Sequence, residues 1–152
     1  MHCLNLHHVG IWADDVNKMV SFLTEVLGFR LLTRLPPDSA ERVFVHLGDN
    51  QLFEILSIPE MQPRPVIPAH MAGGSRPVVG IPHLCFRVTD LPAWEEKIRS
   101  LDYSINYKLP EHGYDRFELG AVRALWFTGP SGVDFELFEF EEEYPIDALP
   151  WA

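Results

Sequence analysis

The chain contains little cysteine and few basic residues. Its only cysteines, Cys3 and Cys85, are too few for a disulfide framework and lack the CxxC spacing of a thiolate metal site. Cys85 lies in an apolar run, which predicts a buried and reduced thiol. The 12 Lys and Arg against 22 Asp and Glu give a formal net charge of −10. Phosphate binding needs a basic surface, so nucleic acid and anionic membranes are not expected partners.

Long apolar runs are also absent from the sequence. No run approaches the roughly 20 residues that a helix needs to span a bilayer, and the N-terminus lacks the basic and then apolar pattern of a signal peptide. We therefore expect a cytoplasmic protein. With 152 residues, 47% of them hydrophobic and 22% charged, the chain has enough apolar side chains for the core of one soluble domain.

The first half of the chain has the pattern β-α-β-β-β. The run "LNLHHVGIWA" is typical of a buried strand, and a helix follows that Asp14 or Asp15 can cap and Gly28 can end. Three more strand-like runs come next: "FRLLTRL", "RVFVHLG" and "QLFEILSIP". Residues 61–78 are rich in proline and glycine, which predicts an extended connection to the second half.

The second half begins as a repeat of the first. Its "GIPHLCFRVTDLP" aligns with the earlier "NLHHVGIWADDVN" when the two are offset by 75 residues. His83 then matches His8 (83−8) and Asp90 matches Asp15 (90−15), so one register fits both pairs. A repeated unit of this length indicates two modules of the same architecture.

The repeat extends to the last strand of each module. A helix and three strand-like runs follow Asp90, and the final "DFELF" takes the place of "LFEIL" in the first half, which pairs Glu136 with Glu54. We therefore predict a single domain over residues 1–152. Its first module would cover about 4–60 and its second about 79–141.

Strand alternation predicts where the repeated His and Glu side chains point. Their apolar neighbours face the helix of each module, which leaves His8 and Glu54 on the other face of the first sheet, and His83 and Glu136 on that of the second. If the sheets curve together, the four groups converge. A divalent cation there would offset the several kcal/mol that each buried, unpaired carboxylate costs. By the same alternation His7 faces away from His8 and has an exposed or structural role.

Each of these residues also has a simpler interpretation. A single histidine in a strand is more often part of a hydrogen-bonded structure than a metal ligand, and a carboxylate on an edge strand is commonplace. The same two residue types recur at matching positions of two repeats, however, and this favours the ligand interpretation.

The quoted segments resemble a known family. "LHHVGIWADDVNKMVSFLTEVLGF" is similar to the opening of the vicinal oxygen chelate superfamily, the group of glyoxalases, bleomycin-resistance proteins and dioxygenases, and "GPSGVDFELFEF" is similar to the end of its second module. The resemblance runs from Leu4 to about Phe140. It implies an α+β fold in which tandem βαβββ modules form a cupped, barrel-like mixed sheet around a metal.

The resemblance also implies a ligand set. By position, His8, Glu54, His83 and Glu136 match the four metal ligands of glyoxalase I, and methylmalonyl-CoA epimerases have a similar pattern. Nitrogen and oxygen donors without sulfur suit one divalent ion of Zn, Ni, Co, Mn or Fe. Relatives of this kind use a metal-bound carboxylate, here Glu136 or Glu54, for proton transfer alpha to a carbonyl through an enediolate-like intermediate.

Several activities fit this family. The ligand pattern favours a glyoxalase I-like lyase or an acyl-CoA epimerase-like isomerase. One alternative is an Fe(II)-dependent ring-cleaving dioxygenase, which four protein ligands disfavour because they leave less room for substrate and O₂. The other is a bleomycin-resistance-type binding protein without catalysis, which would not need the four ligands.

Two arginines predict an anionic small-molecule substrate. Arg87 lies four residues after His83 and should share its face. If "GPSG" forms a simple hairpin, Arg123 lies opposite Phe138 and faces the same cavity. The alternative for Arg87 is an internal ion pair with Asp134.

Further predictions concern the pocket wall and the partners. Apolar walls are expected from four residues: Trp12, Val45, Leu125 and Phe127. Trp12 stands where an arginine of bacterial glyoxalase I helps to bind the thiol cofactor, which counts against glutathione. We also expect a homodimer, in which the acidic tail "EFEEEYPIDALPWA" packs on the partner chain or stays solvated.

Overall fold

The computed structural model describes most of both halves of the chain. The described segments are 7–36, 40–48, 51–60, 83–108, 114–115 and 121–140. The chain divides into two compact units, Met1–Pro65 and Val66–Ala152. The boundary falls within the predicted connection 61–78, which itself lies outside the described residues, as does the acidic tail beyond residue 140.

The first unit has the predicted β-α-β-β-β order. Its elements are β1 (His8–Trp12), α1 (Val16–Ser21) with a π-helical continuation (Phe22–Val26), β2 (Arg30–Leu35), β3 (Glu41–Gly48) and β4 (Gln51–Ser57). The sheet has the strand order β1-β4-β3-β2. β1 runs parallel to β4, and the other neighbours are antiparallel. The first and last strands of the module are therefore adjacent.

The helical segment of the first unit, α1 with its π-helical continuation, begins and ends where the sequence predicts. Asp15, one of the two candidate caps, accepts a hydrogen bond from the backbone N–H of Lys18 at 2.9 Å. Gly28, two residues after the π-helical turn, has a φ of 79°, a left-handed conformation that favours glycine. Between these ends α1 buries Val16 and Met19.

The core of the first unit lies between its sheet and α1. Val43 of β3 and Ile55 of β4 are fully buried, and α1 packs against both of these strands. Val45 is also fully buried and lies opposite Phe53, on the helix face. The prediction that Val45 forms a wall of the pocket is therefore wrong, because alternation turns it towards the core rather than towards the face of Glu54.

The second unit repeats the order of the first with one added strand. Its elements are β5 (Leu84–Arg87), α2 (Leu91–Ser100), β6 (Ile105–Lys108), β7 (Tyr114–Asp115), β8 (Ala121–Thr128) and β9 (Asp134–Phe140). The strand order is β5-β9-β8-β6, with β7 beside β8. β5 runs parallel to β9, as β1 does to β4. Asp90 caps α2 by accepting from the backbone N–H of Ala93 at 3.3 Å, so the matched aspartates have the same role.

The core of the second unit is aromatic. Phe127 and Phe135 are fully buried and stack with ring centroids 5.5 Å apart, on the face of the sheet that α2 covers. Leu125 is also fully buried, opposite Leu137. The prediction that Leu125 and Phe127 line the pocket is wrong, because both side chains belong to the helix face.

The turn between β8 and β9 explains why Leu125 and Phe127 lie on the helix face. Pro130–Gly132 forms a 3₁₀ turn, and the backbone N–H of Gly129 donates to the carbonyl of Val133 at 2.8 Å. The first strand pair after it is Thr128 with Asp134, which places Arg123 opposite Glu139 rather than opposite Phe138. A shift of one residue moves every side chain of the strand to the other face.

Candidate metal centre

The first unit brings His8 and Glu54 together on the face away from α1. Because β1 is parallel to β4, Gly10 pairs with Glu54, and the side chain of His8 reaches the same carboxylate. The distance between His8 Nε2 and Glu54 Oε2 is 3.5 Å. The neighbours of Glu54 along the strand, Phe53 and Ile55, are buried in the core. The predicted facing of this pair is confirmed.

The second unit repeats this arrangement more tightly. Cys85, the counterpart of Gly10, pairs with Glu136, and His83 Nε2 lies 2.8 Å from Glu136 Oε2. Glu136 is 7% exposed, so its carboxylate would be costly without a partner. In each module one His and one Glu thus share the non-helix face, as strand alternation predicts.

The two pairs have the donor atoms that a divalent cation requires. Two ligand atoms about 2.1 Å from a metal, at angles between the octahedral and the tetrahedral value, lie roughly 3.0–3.5 Å apart. The Nε2 to Oε2 distances of 3.5 Å and 2.8 Å are close to this range, so either pair suits two ligands of one ion. Within the described residues no group of three or more His, Cys, Asp or Glu side chains forms a complete metal site.

His7 orients the imidazole of His8. It is exposed, as predicted, but the prediction that it faces away from His8 is wrong: its Nδ1 lies 2.9 Å from His8 Nδ1, with the two rings edge to face. One of these nitrogens must carry the proton and the other accept it. This contact occupies His8 Nδ1 and leaves Nε2 for Glu54 or a metal, which is how a second residue orients a ligating histidine.

Cys85 contacts the carboxylate of the second pair. It is a free and exposed cysteine, so the prediction of a buried thiol is wrong; alternation places it on the face of His83 and not in the core. Its sulfur is nevertheless desolvated beside Glu136. Desolvation, the negative charge of Glu136 and the hydrogen bond between the two side chains raise the pKa of Cys85 to about 12. The thiol is therefore a protonated donor to Glu136.

Arg87 lies on the face of His83, as predicted. It is exposed and pairs with Phe138 in the parallel register of β5 and β9. Asp134, its alternative partner, is four residues from Phe138 along β9, a separation of roughly 13 Å at the rise of an extended strand. The Asp134 carboxylate accepts a hydrogen bond from Thr128 Oγ1 at 2.7 Å. This register does not favour the ion pair with Arg87.

Arg123 has a structural role instead of the predicted place in the pocket. Its Nη2 lies 2.8 Å from Glu139 Oε2, and Glu139 is only 8% exposed. The same carboxylate accepts from the backbone N–H groups of Asp90 at 2.5 Å and Leu91 at 3.4 Å, at the start of α2. The prediction that Arg123 faces the substrate cavity is wrong because the longer turn moves it to the helix face.

Aromatic residues lie beside both pairs. Trp12 is 54% exposed on the strand of His8, where the sequence predicts a pocket wall. In the second unit Trp126 pairs with Glu136 across β8 and β9, is 8% exposed, and has its ring 6.3 Å from that of His83. Sequence reasoning missed Trp126 because the predicted register turned Leu125 and Phe127 to this face instead.

Comparison with known proteins identifies the family. The model of the glyoxalase, bleomycin resistance protein and dioxygenase superfamily matches residues 5–137, and the chain belongs to this superfamily. No curated protein matches the sequence significantly. In the described part of the chain, no helix has the length and apolar character that crossing a membrane requires.

Solved structures share the fold at low sequence identity. A glyoxalase family protein from Enterococcus faecalis has a TM-score of 0.66 at 22% identity, over 89% of this chain and 97% of its own. A lactoylglutathione lyase from Agrobacterium tumefaciens has a TM-score of 0.58 at 20% identity, over 89% and 92%. A third structure is a mutant of the fosfomycin resistance protein FosX from Listeria monocytogenes, complexed with Mn(II) and 1S,2S-dihydroxypropylphosphonic acid. It has a TM-score of 0.62 at 16% identity, over 90% of this chain and 92% of its own.

Proposed function

We propose that the protein is a divalent-metal-dependent enzyme of the glyoxalase or epimerase type, which moves a proton on the carbon alpha to a carbonyl. The observation that carries this proposal is the repeated pair of His and Glu on the non-helix face of both units. A purely structural role would not require the same two residue types at matched positions of two modules. Membership of the superfamily, which contains metal-dependent enzymes, supports the same function.

The proposed ligands are His8, Glu54, His83 and Glu136. Two imidazoles and two carboxylates carry a formal charge of −2, which one divalent cation neutralises. The mixed nitrogen and oxygen set suits Zn, Ni, Co, Mn or Fe, and FosX, a structural relative, has been solved with Mn(II). A divalent cation bound by these four residues would supply Lewis-acid chemistry for a substrate carbonyl, which would acidify the adjacent C–H bond.

The proton carrier in this proposal is Glu136 or Glu54. Glu136 has a side chain that is 9% exposed and a thiol donor in Cys85, whereas the side chain of Glu54 is 20% exposed and lies further from its histidine. The hydrogen bond from Cys85 holds the Glu136 carboxylate in one orientation. Glu54 has more freedom to approach a substrate carbon, and Glu136 is better placed to hold one orientation. The two carboxylates have different surroundings, so Glu54→Gln and Glu136→Gln should have different effects on proton transfer.

The proposed substrate carries an anionic group. Arg87 is exposed on the face of His83, and its guanidinium suits a carboxylate or phosphate. Trp12, on the face of His8, offers an apolar surface in place of a second cation. A substrate with an apolar part and a single anionic end fits these residues better than glutathione does.

Metal content tests the proposed ligands. Wild type purified without added metal, then loaded and dialysed, should hold about one divalent ion per chain, while His8→Ala and Glu136→Ala should each lose most of it because every ligand contributes to a small set. Glu96→Ala is the control, since Glu96 is an exposed carboxylate on α2, on the other face of the sheet, and should retain the metal. Full stoichiometry in both ligand variants would contradict the proposed site.

Solvent exchange tests the reaction. Thiohemiacetals and acyl-CoA epimers incubated with the enzyme in D₂O should gain deuterium at the carbon alpha to the carbonyl, observed by proton NMR. Glu54→Gln and Glu136→Gln identify the proton carrier as the variant that loses exchange but keeps metal. Oxygen uptake with ring cleavage of a catechol would instead establish a dioxygenase. Binding of an antibiotic without turnover of any of these compounds would establish a binding protein.

A further inference from the structure

One row of side chains crosses the sheet of the second unit beside its His–Glu pair. The strand pairings place four residues in this row, on the face away from α2: Cys85, Glu136, Trp126 and Tyr107. The indole of Trp126 lies between the other aromatic groups, 6.3 Å from the ring of His83 and 5.3 Å from that of Tyr107. Phe138 packs against the same cluster. Trp126 is thus the buried aromatic residue next to the proposed reaction centre.

The indole N–H of Trp126 lacks an acceptor. Nε1 is buried, and within the described residues it has no hydrogen-bond partner. An indole nitrogen can only donate, and a buried donor without an acceptor is costly to the folded protein, so such groups in native proteins usually serve a ligand or an ordered water. Glu136, which pairs with Trp126 on the adjacent strand, is in contact with His83 and Cys85.

We propose that Trp126 donates this hydrogen bond to the carbonyl oxygen of the substrate, and so acts as a catalytic residue. The inference rests on the proposed function, because that reaction puts negative charge on this oxygen when the alpha proton leaves. The proton passes to the carboxylate of Glu54 or Glu136, the electron pair of the C–H bond moves into the carbon–carbon bond, and the π electron pair of the carbonyl moves to oxygen. A donor fixed in a buried aromatic row stabilises this charge without having to reorganise.

The surroundings of Trp126 define the class of substrate further. Trp126, Tyr107 and Phe138 present aromatic surface on the face of Glu136, so the part of the substrate next to its carbonyl should be planar or apolar. Arg87 pairs with Phe138 on the same face and suits an anionic end beyond this part. We therefore expect a carbonyl compound with an aryl or alkyl group between the reacting carbon and the anionic group.

Indole NMR observes the proposed contact directly in the unmodified protein. The chain has four tryptophans, and the spectrum of Trp126→Phe assigns the Nε1 resonance of Trp126 by its loss. The probe is acetohydroxamate, whose two adjacent oxygens mimic an enediolate, added to full-length protein loaded with diamagnetic Zn²⁺. The Trp126 N–H resonance should move downfield as the probe saturates, while that of Trp94 should not move.

Binding of the same probe measures the contribution of the hydrogen bond. The dissociation constant should rise about tenfold or more in Trp126→Phe, which removes a donor to a charged oxygen but keeps an aromatic ring. Trp94→Phe is the matched control. Trp94 lies on α2 beside Lys97, away from the proposed site, and its loss should change the constant by less than about twofold.

The outcomes distinguish this inference from the proposed function. If wild type binds acetohydroxamate in a metal-dependent way, but the Trp126 resonance stays unmoved and Trp126→Phe binds equally well, the indole serves only a water or the core. The inference then fails and the proposed function stands. If wild type does not bind the probe at all, both fail together.

Discussion

At the scale of single residues, two arginines of the second unit lie on opposite faces of its sheet. Arg87 lies exposed on the face of His83, whereas Arg123 forms an ion pair with the buried Glu139 on the face of α2. Both side chains end in the same group, so only their surroundings differ. Substitution by Met should therefore change the Michaelis constant at position 87 and the free energy of unfolding at position 123.

Arg87→Met should raise the Michaelis constant for an anionic substrate. A charge-assisted hydrogen bond is worth roughly 1.5–3 kcal/mol, so the constant should increase about tenfold or more. Arg123→Met should leave this constant unchanged but lower the free energy of unfolding by roughly 2 kcal/mol, because Glu139 loses a charged partner. Kinetics and urea unfolding of both variants measure the two effects. A stability loss in Arg87→Met with unchanged kinetics would make Arg87 structural.

The sequence predicted the residues of the His–Glu pairs but missed Trp126. Glu54 follows from alternation within β4, because its neighbours Phe53 and Ile55 are apolar and buried, and His8 follows from the apolar Val9 and Ile11 on the other face of β1. Trp126 has the same kind of neighbours, but its place beside Glu136 depends on pairing with another strand. The predicted pairing was one residue out of register, so it placed Trp126 on the helix face.

At the scale of elements, the turn from β8 to β9 sets the register between these two strands of the second unit. Gly129 precedes this turn, and a Cβ built there would lie 2.6 Å from Cε2 of Phe135. The ring of Phe135 is fully buried and stacks on Phe127, so it has little room to move. Glycine is needed here for the close approach of backbone to ring rather than for an unusual φ.

Gly129→Ala should therefore destabilise the protein by roughly 1–3 kcal/mol, the usual cost of overpacking a core. Gly10→Ala is the control, since its Cβ would meet only Leu56 at 3.4 Å and should change stability by less than about 0.5 kcal/mol. Thermal or urea unfolding of the two variants measures this difference. Equal stability in both would show that the ring of Phe135 moves aside without cost.

At the scale of the whole molecule, the proposed metal should link the stability of the two repeats. A ligand that binds only the folded state stabilises it by about 2.7 kcal/mol at a concentration of one hundred times its dissociation constant. Zn²⁺ should therefore raise the melting temperature of wild type, and a chelator should reverse the rise. His8→Ala and His83→Ala, one in each unit, should each lose most of this increase.

A melting series with increasing Zn²⁺ checks this prediction. Loss of the increase in only one of the two histidine variants would mean that the ion binds within a single unit. In that case the four residues would not form one site, although each unit would keep its own His–Glu pair.

The sequence alone determined the local features of this protein. The two βαβββ repeats, the capping aspartates Asp15 and Asp90, and the face of each His and Glu could all be predicted from it. These features depend on helical and strand periodicity over a few neighbouring residues, which one chain carries in its order. The resemblance to the vicinal oxygen chelate superfamily added the family, which the family match confirms, and solved structures share the α+β fold of its βαβββ modules.

Only the tertiary structure decided which side chains meet across strands. The parallel pairing of first and last strands brings His83 to Glu136, and the length of one turn sends Arg123 to Glu139 and Trp126 to the proposed site. Because the side-chain period of a strand is two residues, a turn longer by one residue exchanges the two faces of β8 relative to β9. The backbone at Gly129, where that turn begins, comes close to the ring of Phe135, and this tertiary contact is not visible in the order of residues.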